Sequence, residues 1–512
     1  MKKESSLLKS TVIIMIVSLI SKLLGFIRDM LIANNFGAGM YTDAYNIAVT
    51  IPETIFTLVG LAISTAFLPM LSKIQAKNGQ KEMYNFANNV INILFVVSLI
   101  FFIVTSIFSK EIVKILANGF SEEALGIAVR LTRITLINLL FLSVNACFTS
   151  MLQVNEDFVI PSILGLFFNL PMILYLLLFT NYDIVGLTIA NVIGNIFRII
   201  VQIPSLISHG YKYKPFMTLK DKRLREIGIL ILPVIIGAGA NSLNMIVDKN
   251  IASSLSQGAI SALDYGQKLI IFINTIITTS IANVAYPVMA NMRNNGDMDG
   301  FIQTLKKSIS YLAFLLIPIT FGAVILGEDI VKNVYERGQF NQYAVHMTTL
   351  AFAGYGVGIF FTGIRDILNS TLFSMRKTKI TTINGIIGVI INIGFSITLS
   401  KYFGILGIAL ASSIAMVVTS VLLFRSIRKI ERNFKIKDII KNIVLILISS
   451  IIMSFGILAL MLFIENTLPH IIILICGIVF GCIIYLAVCK ILKIQEIVEF
   501  EQLFIKKILK KI

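Results

Sequence analysis

Charge is scarce in this chain: its 512 residues include only 27 acidic and 44 basic side chains, 14% charged against 56% hydrophobic. The mean hydropathy is +0.88, and apolar runs repeatedly exceed the ~20 residues that a helix needs to cross a hydrocarbon layer, which excludes an ordinary soluble domain. The runs are continuous and lack the in–out alternation of a transmembrane barrel, so the spans read as helices. Cysteine is equally sparse. Cys147 stands alone, and Cys476, Cys482 and Cys489 share one apolar segment without the CxxC spacing of a zinc or dithiol site. His209, His346 and His470 are too scattered to build a metal centre. There is no GxxxxGK[ST] phosphate loop, and a membrane glycosyltransferase would need a loop with metal-binding carboxylates, whereas the longest loops here are short and basic. No small-residue cleavage site separates the opening apolar run from Lys22 and Arg28, so that run reads as a first span, not a signal peptide.

What charge there is lies mostly between the spans. A formal charge of +17 would suggest nucleic acid in a soluble protein, but here it sits in short loops and sets orientation. Hydropathy and breaker residues divide the chain into about fourteen spans, from 7–33 and 41–73 to 438–464 and 468–491. Basic residues gather at every second loop: Lys73, Lys77 and Lys81; Lys212, Lys214, Lys220, Lys222, Arg223 and Arg225; Arg293, Lys306 and Lys307; Arg376, Lys377 and Lys379; and the run from Arg425 to Lys437. The intervening loops NNFGAGMYT, TNYD, SSLSQGA and ENTLPH are almost free of them. Both termini are therefore expected to be cytoplasmic. From Lys490 onward, KILKIQEIVEFEQLFIKKILKKI reads as a basic amphipathic helix on the inner membrane surface.

The chain also repeats itself. A block from Asp43 through Pro69 (D-A-Y, then T-A-F-L-P-M-L-S-K and a KNGQ turn) returns from Asp264 through Pro287 (L-D-Y-G-Q-K-L, then A-N-V-A-Y-P-V-M-A-N-M and a NNGD turn). An even number of spans separates the copies, so they share an orientation. The expected fold is an all-α polytopic membrane protein. Two pseudo-symmetric six-helix lobes, 1–212 and 213–432, form a parallel repeat about an axis along the membrane normal; two extra helices over 433–492 and the amphipathic helix over 493–512 follow. Substrate sites in such folds lie between the lobes near the midplane.

A charge near the bilayer centre costs roughly 2.5–3.5 kcal/mol, so ionisable residues within spans usually face a protein interior or a water-filled cavity. Lys22, Arg28 and Asp29 lie in the first span, Asp43 and Glu53 in the second, and Lys268 in the second lobe. Lys22 and Asp29, seven residues apart, share a helical face, with Arg28 about 100° round from Asp29. Pro52 removes a backbone donor just before Glu53 and marks a kink. A cavity between the lobes would draw Lys22, Arg28 and Lys268 together, with Asp43 and Glu53 as counter-charges. Any one of these residues could serve helix register, but three cations from two repeat-related places suit a phosphate or pyrophosphate, because Arg binds phosphate oxygens bidentately and Lys adds point charge. Asp29, Asp43 and Glu53 are the candidates for gating or ion coupling. Arg365 and Asp366 read as a pair inside their lobe, and Arg133 and Arg198 as cations snorkelling near span ends. Asn169, Asn191 and Asn195 read as amides that join helices. VYERGQF, on the outer side, carries no chemistry by itself.

SKLLGFIRDMLIANNFGAGMYTDAY, LQVNEDFVIPSI, ISALDYGQKL, VYERGQF and LFSMRKTKIT together resemble the MurJ (MviN) lipid II flippases of the MOP exporter superfamily, over roughly residues 5–430. The resemblance implies fourteen helices, two lobes around a V-shaped cavity, alternating access, and a groove formed with the last two helices for a polyprenyl tail. It implies that Arg28, in GFxRD, and Asp43, in TDA, are needed for function, and it sets Lys22 and Lys268 where the family often has Arg. Two departures stand out. After Pro52 the family commonly shows N-L-L-R-R where this chain has E-T-I-F-T, and after Lys268 the usual acidic residue and proline are replaced by Ile271 and Ile273. The function implied is transport, not catalysis: lipid II, an undecaprenyl-pyrophosphate-linked peptidoglycan precursor, would be flipped from the inner to the outer leaflet of a bacterial plasma membrane. Arg28, Lys22, Lys268 and Asp43 would bind it. No metal or other cofactor is expected, and a coupling ion or the membrane potential would supply the energy. The expected partners are a lipid-linked anionic glycan and membrane lipid, not nucleic acid, and the expected state is a monomer. A flippase for another polyprenyl-linked glycan or a teichoic precursor is the near alternative, favoured by the PETIFT stretch. A MATE-type exporter of cationic drugs would want a negative cavity.

Overall fold

The computed structural model describes residues 2–180, 182–431, 434, 437–464 and 469–499. Most of the expected basic amphipathic helix, residues 500–512, lies outside the described residues. Among them every regular element is a helix. The first nine are α1 (Lys2–Phe36), α2 (Met40–Ala62), α3 (Leu68–Asn78), α4 (Gln80–Ile107), α5 (Ser109–Leu116), α6 (Glu122–Thr135), α7 (Asn138–Val154), α8 (Val159–Leu178) and α9 (Ile184–Ser208). The rest are α10 (Lys222–Ser253), α11 (Ala259–Asn294), α12 (Met298–Ile325), α13 (Gly327–Tyr335), α14 (Gln342–Gly356), α15 (Ile359–Ser374), α16 (Thr378–Ile430), α17 (Lys437–Ile464) and α18 (His470–Ile491). A single π-helical turn, Ile63–Phe67, joins α2 to α3, downstream of the donor that Pro52 removes from α2.

Nine helical segments among the described residues, with α6 and α7 taken together as one (Glu122–Val154), are long and apolar enough to cross a membrane, or ten if α14 and α15, bent by 44° at their break, count as one span. The protein is a multi-pass membrane protein. One of the nine, α16, folds back on itself at Gly404, whose φ of 55° is open to glycine at little cost. Its two arms face each other through Asn392, which donates to Ser412 Oγ at 2.9 Å, and Asn384, which donates to Ser426 Oγ at 3.3 Å. Side-chain caps fix several helix starts: Ser121 for α6, Asp183 for α9, Asp221 for α10, Asp297 for α12 and Asn341 for α14 each accept a backbone N–H from the first turn.

The helices gather into two compact units, one running from the N-terminus to Ser261 and including Arg337–Phe340, the other comprising Ala262–Glu336 and the chain from Asn341. In the first, α8 packs on α1 and α9, α2 on α6, α7 and α10, and α4 on α3 and α7. Its core includes Phe67, Leu71, Met83, Phe86, Phe148, Met151 and Tyr211. In the second, α12 packs on α15 and α17, α16 on α14 and α15, and α17 on α18. Phe301, Leu305, Ile309, Leu312 and Leu316 make a fully buried stripe at helical spacing along α12. Lipid tails are as apolar as these side chains, so such stripes hold by close van der Waals packing, not by removal from water.

Element order repeats between the units. A long helix, a short helix, a pair broken by two residues and then two further passes appear as α4, α5, α6–α7, α8 and α9, and again as α12, α13, α14–α15 and the two arms of α16. The breaks fall at Leu136–Ile137 and at Val357–Gly358.

Candidate functional site

The first unit holds a polar cluster at a depth where its helices are otherwise apolar. Arg28, on α1, donates through Nε (3.1 Å) and Nη2 (2.8 Å) to one oxygen of the buried Asp29, and through Nη1 to Asn169 Oδ1 on α8 at 2.9 Å. Asn169 is held by its own amide, which donates to Gly165 O at 2.8 Å. A guanidinium carries five N–H groups in a fixed fork. With three engaged, Arg28 is oriented and keeps two for a ligand.

Next to Asn169, the ring of Phe168 sits between two cations: Arg28 lies 5.7 Å from its centroid and Arg198, on α9, 3.8 Å. Arg198 donates from Nη1 to Asn195 Oδ1 at 3.1 Å, so most of its fork is uncommitted. A cation over an aromatic face is favoured by roughly 0.5–2 kcal/mol, more when desolvated. Glu53, on α2, lies within electrostatic reach of both guanidinium groups. The sequence reading of Arg198 as a snorkelling cation is thus corrected: an aromatic ring and an amide hold it beside Arg28.

Helix packing places this pair. α8 and α9 approach so closely at Gly194 that a Cβ there would lie 2.4 Å from the carbonyl oxygen of Phe168. Asn191, Asn195, Arg198 and Gln202, three or four residues apart, then form one polar face of α9. Asn138 donates to Asn191 Oδ1 at 3.0 Å, and Gln202 donates to Asn145 Oδ1 at 2.9 Å. The spacing is visible in the sequence; what hides it is that each amide taken singly reads as an ordinary helix-joining contact.

The other candidates are placed differently. Lys22 is exposed on α1 and stands outside the cluster. Asp43 is buried, and its carboxylate accepts from Gly258 N (2.7 Å), Ser261 N (2.8 Å) and Ser261 Oγ (2.6 Å). It therefore sits at the N-terminal ends of both α2 and α11, where helix dipoles favour an anion. Nearby, Gln339 N donates to Asn34 O at 2.8 Å, and Gly37 and Gly338 leave no room for a Cβ against Gln339 and Asn34. The VYERGQF stretch, unremarkable as sequence, thus seats residues 337–340 on the end of α1. In the second unit Lys268 is half-buried, 5.5 Å from the ring centroid of Tyr265, which packs on Tyr335 at 4.9 Å. Arg365 pairs with Asp366 at 2.8 Å and points Nη1 at Met416 Sδ.

The long apolar helices and the oriented guanidinium groups inside their bundle define a multi-pass membrane protein with an internal cationic cluster. Its fold is shared by an inward-facing MATE-family multidrug transporter of the MOP superfamily, with a TM-score of 0.65 at 13% identity over 83% of this chain and 99% of that one. The particular family follows from the sequence itself, since the profile described as "Lipid II flippase MurJ" matches residues 32–495, and the chain belongs to that family. Relatives named "Probable lipid II flippase MurJ" include one from Vibrio cholerae, 29% identical over 82% of this chain and 83% of its own. Another, from Buchnera aphidicola (subsp. Schizaphis graminum), is 29% identical over 90% of this chain and 91% of its own. A solved structure titled "Lipid II flippase MurJ, inward closed conformation" matches with a TM-score of 0.81 at 27% identity, over 94% of this chain and 98% of that one.

Proposed function

We infer that this protein carries lipid II across the plasma membrane of a bacterium, from the inner to the outer leaflet, without chemical change to it. Membership of the MurJ family gives the substrate class. The observation that carries the mechanism is the pair of guanidinium groups flanking Phe168, oriented by Asp29, Asn169 and Asn195 and left with N–H groups to spare. A pyrophosphate displays several non-bridging oxygens, and two forks, on α1 and α9, held at one ring of α8 suit it. Lys22 and Lys268 add long-range positive charge, and Glu53 limits the net charge that the head group meets. Asp43 acts in gating: its three donors hold the turn 258–261, and breaking them releases the start of α11.

The repeat of element order supports two transport lobes that rock about a central axis, with α17 and α18 beside the lipid tail. Together with the second arm of α16 and with α1, α2 and α10, the membrane-crossing helices make up the fourteen passes suggested by hydropathy. Both termini then lie inside, and the chain works as a monomer. The membrane potential, worth about 2.3 kcal/mol per charge per 100 mV, or a coupled ion supplies direction.

Complementation tests the reading. When the host's own lipid II flippase is depleted, this chain is expected to restore growth, and its Arg28→Ala form to fail at equal membrane abundance. An unaltered chain that inserts normally and does not rescue overturns the substrate; rescue by Arg28→Ala overturns the site.

A further inference from the structure

Between α9 and α10 the chain does not simply turn. Residues 209–218 lie flat along α4, and the polar groups of their backbone are taken up by side chains from one face of that helix. His209 O accepts from Gln80 Nε2 and Tyr84 Oη, both at 3.0 Å; Lys212 O accepts from Asn88 at 3.0 Å; Lys214 O and Phe216 O accept from Asn92 at 3.0 and 2.8 Å. Asn89 closes the strap, donating to Thr218 O at 3.0 Å and accepting from Thr218 N at 2.7 Å. Asn85, Asn88, Asn89 and Asn92 fall on one helical face, and the long apolar run of α4 begins at Ile93, directly beyond them. Non-helical backbone near a bilayer must have its polar groups satisfied by protein, and this asparagine face does that for the strap. The strap therefore lies at head-group depth, on the side of the membrane marked by the basic loops.

Its outer surface is amphipathic. Tyr213 (59% exposed), Met217 (51%) and Leu219 (73%) alternate with Lys212, Lys214 and Lys220. Behind it is a cavity of about 300 Å³ lined by Lys81, Lys212 and Lys214 with Gln80, Tyr84 and Asn85, and with no carboxylate among its lining residues. Lys214 Nζ donates to Asn85 Oδ1 at 3.3 Å, which holds one ammonium at the cavity edge. The two carboxylates beside the neighbouring cavity, Glu82 and Asp221, are both engaged by Arg223, at 3.0 and 2.6 Å. That pairing holds the Asp221 carboxyl below its usual range, chiefly through the hydrogen bond from Arg223, so it remains an anion tied to its own cation.

We propose that the 209–218 strap and the Lys81–Lys212–Lys214 cavity form a binding site for the phosphodiester head group of an anionic phospholipid, with Tyr213, Met217 and Leu219 set among the first carbons of its chains. Loop lysines that merely orient the protein need no fixed backbone, no cavity and no exposed apolar partners. Here all three occur together. Interfacial lysines gain from an anionic lipid surface, and aromatic rings settle at head-group depth. The site stands on the membrane placement alone and does not involve lipid II.

The chain has no tryptophan, so Met217→Trp gives the full-length protein a single reporter on the strap. It is reconstituted in phosphatidylcholine bilayers, and brominated phosphatidylglycerol or brominated phosphatidylcholine is titrated in as quencher, without lipid II. The expected result is half-quenching at about a tenfold lower fraction of the anionic lipid, with the difference removed by 1 M salt. Adding Lys81→Gln, Lys212→Gln and Lys214→Gln is expected to equalise the two quenchers, whereas the charge-matched Lys401→Gln, Lys437→Gln and Lys441→Gln set keeps the preference. Equal quenching in the parent, quenching by neither lipid, or the same loss in the charge-matched set overturns the proposal. The salt titration on the parent remains decisive even if the triple variant fails to fold. Failure of lipid II transport leaves the quenching unchanged, so this test and that of the transport reading fail separately.

Discussion

At the scale of the residue, two guanidinium groups, on α1 and α9, meet at the single ring of Phe168 on α8. Replacing Arg198 with Ala is expected to abolish rescue as Arg28→Ala does. Arg198→Lys keeps the charge but loses the planar fork and the stacking, and growth is expected to fall between that of the unaltered chain and that of Arg198→Ala; full rescue by Arg198→Ala would remove Arg198 from the site. Glu53→Asn is expected to be tolerated by a chain that carries lipid II, and severe loss would point instead to another polyprenyl-linked glycan. Asp43 is a different case. Its loss strands three donors, and an unsatisfied buried donor costs about 1–3 kcal/mol, so Asp43→Ala should lower the Tm of the purified protein clearly more than Asp43→Asn, which keeps one acceptor oxygen. Arg28, Asp29 and Asp43 were legible in the sequence because charge inside an apolar span is an energetic anomaly. The partnership of Arg198 with Phe168 was not. It depends on which faces of α8 and α9 meet, and that is decided by the close approach at Gly194, which no local pattern announces.

At the scale of the element, glycines and asparagines set the contacts. Gly194→Leu must push α8 and α9 apart against the Phe168 carbonyl, and is expected to abolish rescue while the protein still inserts, as judged by membrane abundance and gel-filtration profile. Gly404→Val places a β-branched residue at a positive φ, for a cost of roughly 1–2 kcal/mol, and should lower Tm without changing the site. The hairpin of α16 was legible as two apolar spans separated near Gly404. The broken pairs α6–α7 and α14–α15 were not, since each reads as one continuous apolar run and its break spans only two residues. The strap on α4 was also hidden: the asparagines at 85, 88, 89 and 92 show helical spacing, but the partners are more than 120 residues away, backbone carbonyls for Asn88, Asn89 and Asn92 and the Lys214 ammonium for Asn85.

At the scale of the whole molecule, hydropathy and loop charge gave the all-helical, multi-pass class, because both are set by the bilayer and not by any one contact, and the repeat was read from the two matching blocks at Asp43–Pro69 and Asp264–Pro287. The family resemblance supplied what periodicity cannot, the lipid-linked substrate. Orientation can be checked directly. With Cys476 and Cys482 changed to Ser, a cysteine at the exposed Gln257 should react with a membrane-impermeant maleimide in intact cells, and one at Lys77 only after permeabilisation. The reverse pattern would invert the proposed direction of transport. The central claim, that this chain moves lipid II between leaflets, is tested most directly in sealed vesicles containing fluorescent lipid II, under an imposed membrane potential and with an impermeant reductant outside. The account predicts that the inner-leaflet fluorescence, protected in empty vesicles, becomes bleachable when the unaltered chain is present and stays protected with Arg28→Ala. Protection that persists with the unaltered, correctly folded chain would contradict it.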